Sequence, residues 1–223
     1  MTIINKVSSK TLMPGITAVP DVVDAPTIGT ATDVGTSRAY NNGAATVTFT
    51  ASATGGAASS FTATSSPGGL TASGASSPLT VTGLSSATSY TFSVQGVNTS
   101  GTWLASSASN SITATTVPQA PTIGTFTDGG TGTTGTLSFT AGATGGSSIT
   151  GYKYSTDGTN YSSASGTTSP LSLTGLTAGT YTFYLKATNA NGDSSASSGV
   201  SGTVIQPTAF ESIATYTFNN TTT

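Results

Sequence analysis

The side chains of this sequence that could do chemistry are almost all hydroxyls. Of 223 residues, 49 are threonine and 35 are serine, while His and Cys are absent. A serine becomes a nucleophile only beside a base, and imidazole, the commonest one, is missing. A Ser-Lys arrangement would be the remaining route. No Ser-x-x-Lys occurs near Lys153 or Lys186, and Ser8-Ser9-Lys10 stands without a framework. Thiolate and imidazole metal ligands are lacking as well. Asp21 and Asp24 lie where capping a turn is the expected role. Thr156-Asp157-Gly158-Thr159-Asn160 has the look of a calcium loop but lacks the alternating carboxylates and the closing Glu, so a hairpin turn is expected there. Gly129-Gly130-Thr131-Gly132 has neither the lysine nor the following helix of a phosphate loop. The expectation is no catalytic residue, no cofactor and no metal site.

Aromatic side chains offer the other chemistry, stacking on sugars. Trp103, with Leu104 next to it, could be an exposed stacking spot or bury at a domain junction, and burial is the preferred reading. Tyr152, Tyr154 and Tyr161 could face a glycan, or serve as core and cross-strand pairs. Trp103 and Tyr161 stand as the glycan-contact candidates.

Charge excludes other partners. Only 5% of residues are charged and the net charge is -2, against roughly 25% charged residues in an average soluble domain. Lys6, Lys10, Arg38, Lys153 and Lys186 are scattered, so nucleic-acid binding has no electrostatic basis. No apolar run approaches the roughly 18–20 residues that span a bilayer, and no membrane insertion is expected. Residues 1–20 do not match a secretory signal: apolar residues precede Lys6, and the run from Thr11 is broken by Pro14 and Gly15. A protein made without export is expected.

The elements that must carry these groups are strands. Tyr90, Phe92, Val94 and Gly96 alternate with Thr91, Ser93 and Gln95, and Tyr181, Phe183, Leu185 and Ala187 repeat the pattern. Side chains alternate across a strand, so each set lies on one inward face. An Asn-x-x-Gly turn follows each, at 98–101 and 189–192. Other segments recur at offsets of about 90–95, as repeats with variable loops do. Ala25-Pro26-Thr27-Ile28-Gly29 returns at 120–124, Thr46–Thr50 at 136–140, and Leu79-Thr80-Val81 at 171–173. Ser60–Thr64 is a further expected strand. The prolines at 118 and 121 make 115–121 an extended linker.

Gly145-Gly146-Ser147-Ser148-Ile149-Thr150-Gly151-Tyr152 resembles the loop and third strand of bacterial and bacteriophage fibronectin type III domains. Ala-Pro at each domain start, the Gly-Leu turns at 83–84 and 175–176, and the Asn-x-x-Gly turns extend the resemblance over about 23–206. It implies an all-β chain of two tandem Greek-key β-sandwiches, domain 1 at 23–116 and domain 2 at 117–206, with an extended N-terminal arm at 1–22. Tyr90 and Tyr181 would be tyrosine corners, rings in the core and hydroxyls on nearby backbone. The tryptophan usual on the second strand is absent, and Phe49 and Phe139 are expected in its place. An immunoglobulin-like variant stays open.

The resemblance further implies a non-enzymatic structural component of a tailed-phage particle: tail fibre, appendage or capsid decoration. The arm would dock on other virion proteins through Ile3, Ile4, Val7, Leu12, Met13 and Ile16. The sandwiches would be spacers contacting host-surface polysaccharide, in a homo-oligomer, trimeric if a fibre. Residues 207–223 would start a further β domain or exchange a strand with a neighbour. The alternative is a spacer or adhesion module of a secreted bacterial glycan-active enzyme or surface adhesin.

Overall fold

The computed structural model describes residues 24–54, 56–99 and 101–208. The proposed docking residues of the arm and all but the first two residues of the 207–223 segment lie outside the described residues. The chain divides between Thr116 and Val117 into two compact units.

In domain 1 the strands are β1 (Thr27–Asp33), β2 (Gly43–Thr50), β3 (Ser60–Ser66), β4 (Thr71–Gly74), β5 (Leu79–Leu84), β6 (Ser89–Asn98), β7 (Gly101–Thr102) and β8 (Ile112–Thr113). One sheet has the order β1-β2-β5; the other runs β4-β3-β6, with β7 and β8 both on the far edge of β6. Domain 2 repeats this with β9 (Thr122–Asp128), β10 (Thr134–Thr140), β11 (Gly151–Ser155), β12 (Ser162–Ser163), β13 (Leu171–Thr174), β14 (Gly179–Asn189), β15 (Gly192–Asp193) and β16 (Val200–Val204). Its sheets are β13-β10-β9 and β12-β11-β14, with β15 and β16 on β14. In both domains the fourth strand pairs with the third, not with the first sheet as in an immunoglobulin constant domain. The three-plus-four arrangement is that of a fibronectin type III-like sandwich within the broader immunoglobulin-like class.

The alternating strands close the cores as their spacing dictates. Val47, Val81, Phe92 and Val94 are buried in domain 1, and Leu137, Leu171, Leu173, Phe183 and Leu185 in domain 2, each worth about 1.5–3 kcal/mol of burial. Phe49 tilts against Phe61 at 4.7 Å between ring centroids, and Phe139 against Tyr152 at 4.4 Å. Each domain then adds one aromatic from a different element. In domain 1 it is Trp103, edge-on to Phe61 at 85° and seated over Gly96, where an added Cβ would meet the indole at 2.6 Å. In domain 2 it is Phe126, stacked on Phe183 at 4.4 Å and accommodated by Gly135 and Gly202.

The last strand of each sandwich departs from strand geometry in a way the sequence reading did not anticipate. Between β7 and β8, Trp103, Ser106 and Ser109 donate their N–H groups to the carbonyls of Gly96, Val94 and Phe92. Three residues advance for every two of β6, so the segment rises about 2.2 Å per residue instead of about 3.3 Å. No carbonyl of this segment receives the N–H of Val94 or Phe92. Serine hydroxyls do so instead: Ser106 Oγ accepts from Val94 N–H at 2.9 Å and Ser109 Oγ from Phe92 N–H at 3.0 Å. Each hydroxyl donates in turn to the carbonyl of the next residue. Domain 2 repeats the device with Ser194 on Ala187 and Ser197 on Leu185, both at 3.0 Å. The signal was in the sequence: Ser-Ser-Ala-Ser stands at 106–109 and again at 194–197.

Replacing Ser106 or Ser194 by Ala strands a buried N–H and is expected to cost about 1–3 kcal/mol, whereas exposed Ser107→Ala should stay within about 0.5 kcal/mol. Urea denaturation midpoints check this. Gly96→Ala, which drives a methyl into the indole, is expected to destabilise domain 1 by about 1–3 kcal/mol. Urea unfolding followed by far-UV circular dichroism reads the loss, and shortening Trp103 to Leu in the same chain should relieve much of it.

Candidate functional site

The two sandwiches carry similar cores but different surfaces on their longer sheets. Outward positions in domain 1 hold Thr62, Thr64, Ser93 and Gln95. The ladder equivalents in domain 2 hold Lys153, Tyr184 and Lys186, while Ser155, at the fourth position, is buried and bonded to Asp157. Lys153 and Lys186 sit directly opposite each other across β11 and β14, an unfavourable like-charge pair unless each finds a partner. Both do. Lys153 Nζ reaches Asp193 Oδ2 at 2.8 Å, and Lys186 Nζ lies 4.1 Å from the centre of the Tyr161 ring. Burial pushes the Asp193 carboxyl up, but hydrogen bonds from Lys153 and Thr188, with the charges of Lys153 and Lys186, outweigh it and hold the group below its ordinary value. The pair is about one-third exposed on each side, so it fixes side-chain positions more than it adds stability.

Beside this face, a groove of about 220 Å³ opens between the turn after β11 and the corner between β13 and β14. Tyr154, Asp157, Asn160, Ser162, Leu176 and Tyr181 are among its lining residues. The turn forms because one carboxylate organises it. Asp157 Oδ1 accepts from Thr159 N–H and Asn160 N–H, both at 2.8 Å, and from the Ser155 hydroxyl. Asp157 Oδ2 accepts from Asn160 Nδ2 at 2.7 Å. Hydrogen bonds from Asn160, Thr159 and Ser155 hold the carboxyl well below the usual range. The opposite wall is set by Tyr181, whose hydroxyl donates to Thr177 O at 2.9 Å and pairs with Thr177 Oγ1 at 2.6 Å. In domain 1, Tyr90 instead accepts from Ser85 N–H at 3.0 Å with its ring buried. Domain 1 also has Ala63 at the ladder position of Tyr154, since Ala63 faces Val94 as Tyr154 faces Leu185.

Two aromatic expectations need correction. Trp103 is 2% exposed in the core of domain 1, held there by the room that Gly96 leaves. It therefore offers no face to a sugar, and Leu104 alone is exposed. Tyr161 is half-buried with one ring face covered by Lys186, and it does not line the groove. Tyr152 is buried against Phe139. Of the three tyrosines weighed together, Tyr154 alone reaches the groove. Asp157, expected in a hairpin turn, lies in the connection from β11 to β12. Its meeting with Tyr181, 24 positions along the chain, had no signal in local spacing.

No protein-family model and no curated protein matches the chain. Among solved structures it is similar to the chicken CNTN1 FN1-FN3 domains, with 18% identity, a TM-score of 0.42, and coverage of 81% of this chain and 67% of that one. Strand order and register within each unit define the class: two tandem fibronectin type III-like β-sandwiches.

Because Asp157 ionises below the ordinary aspartate value of about 3.9, its hold on the turn is complete above that pH and lost as the pH falls through its depressed native value. The amide resonances of Thr159 and Asn160 should therefore persist unchanged at pH 4 and shift only in stronger acid. Asp157→Ala should abolish their downfield positions at every pH, and an NMR pH titration checks both.

Proposed function

We propose that this chain is a non-enzymatic structural component of a tailed-phage particle. In this reading its N-terminal residues 1–22 dock on other virion proteins, and its sandwiches serve as spacers that aid adhesion to the host. The observation that carries the spacer part is where the hydroxyls go. The outer face of the β1-β2-β5 sheet presents Thr32, Thr46 and Thr80 in one row across three strands, and Thr127, Thr136 and Ser172 form the matching row in domain 2. Such faces are uncharged and hydrated, so their contacts do not change with ionic strength. Other serines are spent inside the fold, on backbone donors. The phage assignment is supported by the sequence resemblance described above.

The experiment is sedimentation of a lysate containing intact particles, with the polypeptide followed by mass spectrometry. Co-sedimentation with particles is expected, and deletion of residues 1–22 should release the sandwiches into the soluble fraction. Recovery of the full-length protein free of particles, or bound to cell-wall polysaccharide, would overturn the reading. A spacer or adhesion module of a secreted bacterial glycan-active enzyme or surface adhesin would then take its place.

A further inference from the structure

We infer that the groove between the β11–β12 turn and the β13–β14 corner is a binding site for one ring of a neutral sugar. The inference deepens the adhesive part of the proposed function and rests on it. Four features of the groove point to this ligand class.

The first is size. At about 220 Å³ the groove is below the roughly 300–1,000 Å³ of sites for drug-sized ligands, which suits one ring and not a longer oligosaccharide held end to end. The second is the mixture of surfaces. Tyr154 and Tyr181 are partly exposed aromatic rings with Leu176 behind them, and Asp157, Asn160 and Ser162 supply polar groups at the rim. A sugar ring has the same division, with C–H faces for stacking and equatorial hydroxyls for hydrogen bonds. Asp157 Oδ2 receives one hydrogen bond, from Asn160 Nδ2, so it keeps an acceptor site for a ligand hydroxyl.

The third feature is charge. Asp157 is the one charged side chain lining the groove, and no lysine or arginine is among the lining residues. Uronic acids, sialic acids and phosphates are therefore disfavoured, and a neutral sugar is selected. The fourth is preorganisation. The turn is held by four hydrogen bonds to Asp157 and the opposite wall by the Tyr181–Thr177 contacts, so little ordering accompanies binding. Domain 1, with Ala63 in place of Tyr154 and a buried Tyr90, supplies an internal control in the same chain.

The test is amide chemical-shift mapping of the full chain with glucose, galactose, mannose and N-acetylglucosamine, and with glucuronate as the anionic probe. At least one neutral sugar is expected to shift resonances at 154–162 and 175–181, with a dissociation constant on the order of millimolar for so small a ligand. Tyr154→Ala, which installs the domain 1 residue, should weaken binding at least about tenfold. Tyr161→Ala should leave it unchanged, and glucuronate should bind more weakly than the neutral sugar. The inference is overturned if none of the four neutral sugars shifts the groove, if domain 1 responds equally, or if glucuronate binds as tightly. Sensitivity to Tyr161→Ala without sensitivity to Tyr154→Ala would also overturn it, by moving the site to the outer sheet face. The wild-type map decides even if Tyr154→Ala does not fold. Particle co-sedimentation scores the proposed function independently, so either can fail alone.

Discussion

Both domains depend on satisfying the backbone of their longest strand along its outer edge. β6 and β14 run through the middle of the second sheet, where the N–H groups of Val94, Leu185 and Ala187 are buried. One side of each is served by an ordinary antiparallel ladder. The other side faces a segment wound too tightly to present a carbonyl at every second residue, and Ser106, Ser109, Ser194 and Ser197 supply oxygens instead. A buried donor without a partner costs more than a hydrogen bond contributes when made. These four hydroxyls are therefore requirements of the fold more than ornaments on it.

That requirement changes the meaning of the composition. A chain so rich in Ser and Thr and so poor in charge invites a functional reading of its hydroxyls. Much of the inventory is instead structural. Thr48 Oγ1 and Ser138 Oγ each accept from a backbone N–H and donate to a backbone carbonyl across the irregular part of the β1–β2 and β9–β10 ladders. Gly29 and Gly124 leave room for them, since an added Cβ at either position would lie 2.4 Å from the hydroxyl oxygen. Ser77 and Ser169 likewise receive Phe49 N–H and Phe139 N–H. The recurrence of Pro-Thr-Ile-Gly and Ser-Pro-Leu in both repeats follows from these contacts.

With the scaffold so accounted for, the differences between the repeats carry the functional information. Domain 1 fills its core with an indole and keeps its longer sheet plain. Domain 2 places its spare aromatics at the surface and its two lysines face to face, Lys153 paired with Asp193 and Lys186 set over the Tyr161 ring. The groove lies next to that face. The same topology thus carries a plain sheet face in one copy and a shaped, polar, aromatic recess in the other.

Local order was legible in the sequence because period-2 alternation and turn residues act over a few positions. Tyr90–Gly96 and Tyr181–Ala187 declared themselves strands, and their repetition declared two units. Sheet membership was not legible: that β4 pairs with β3, and β12 with β11, depends on which edge the chain returns to. Trp103 was ambiguous for the same reason, since its burial depends on Gly96, a residue of another strand with no side chain to announce the space it leaves. Ser-Ser-Ala-Ser was printed twice, but its purpose appears only beside the unpaired donors of β6 and β14. The groove belongs wholly to tertiary structure. It exists because Asp157 ties a turn that folds back toward the Tyr181 corner, and no local pattern relates residues brought together by the closing of a sandwich.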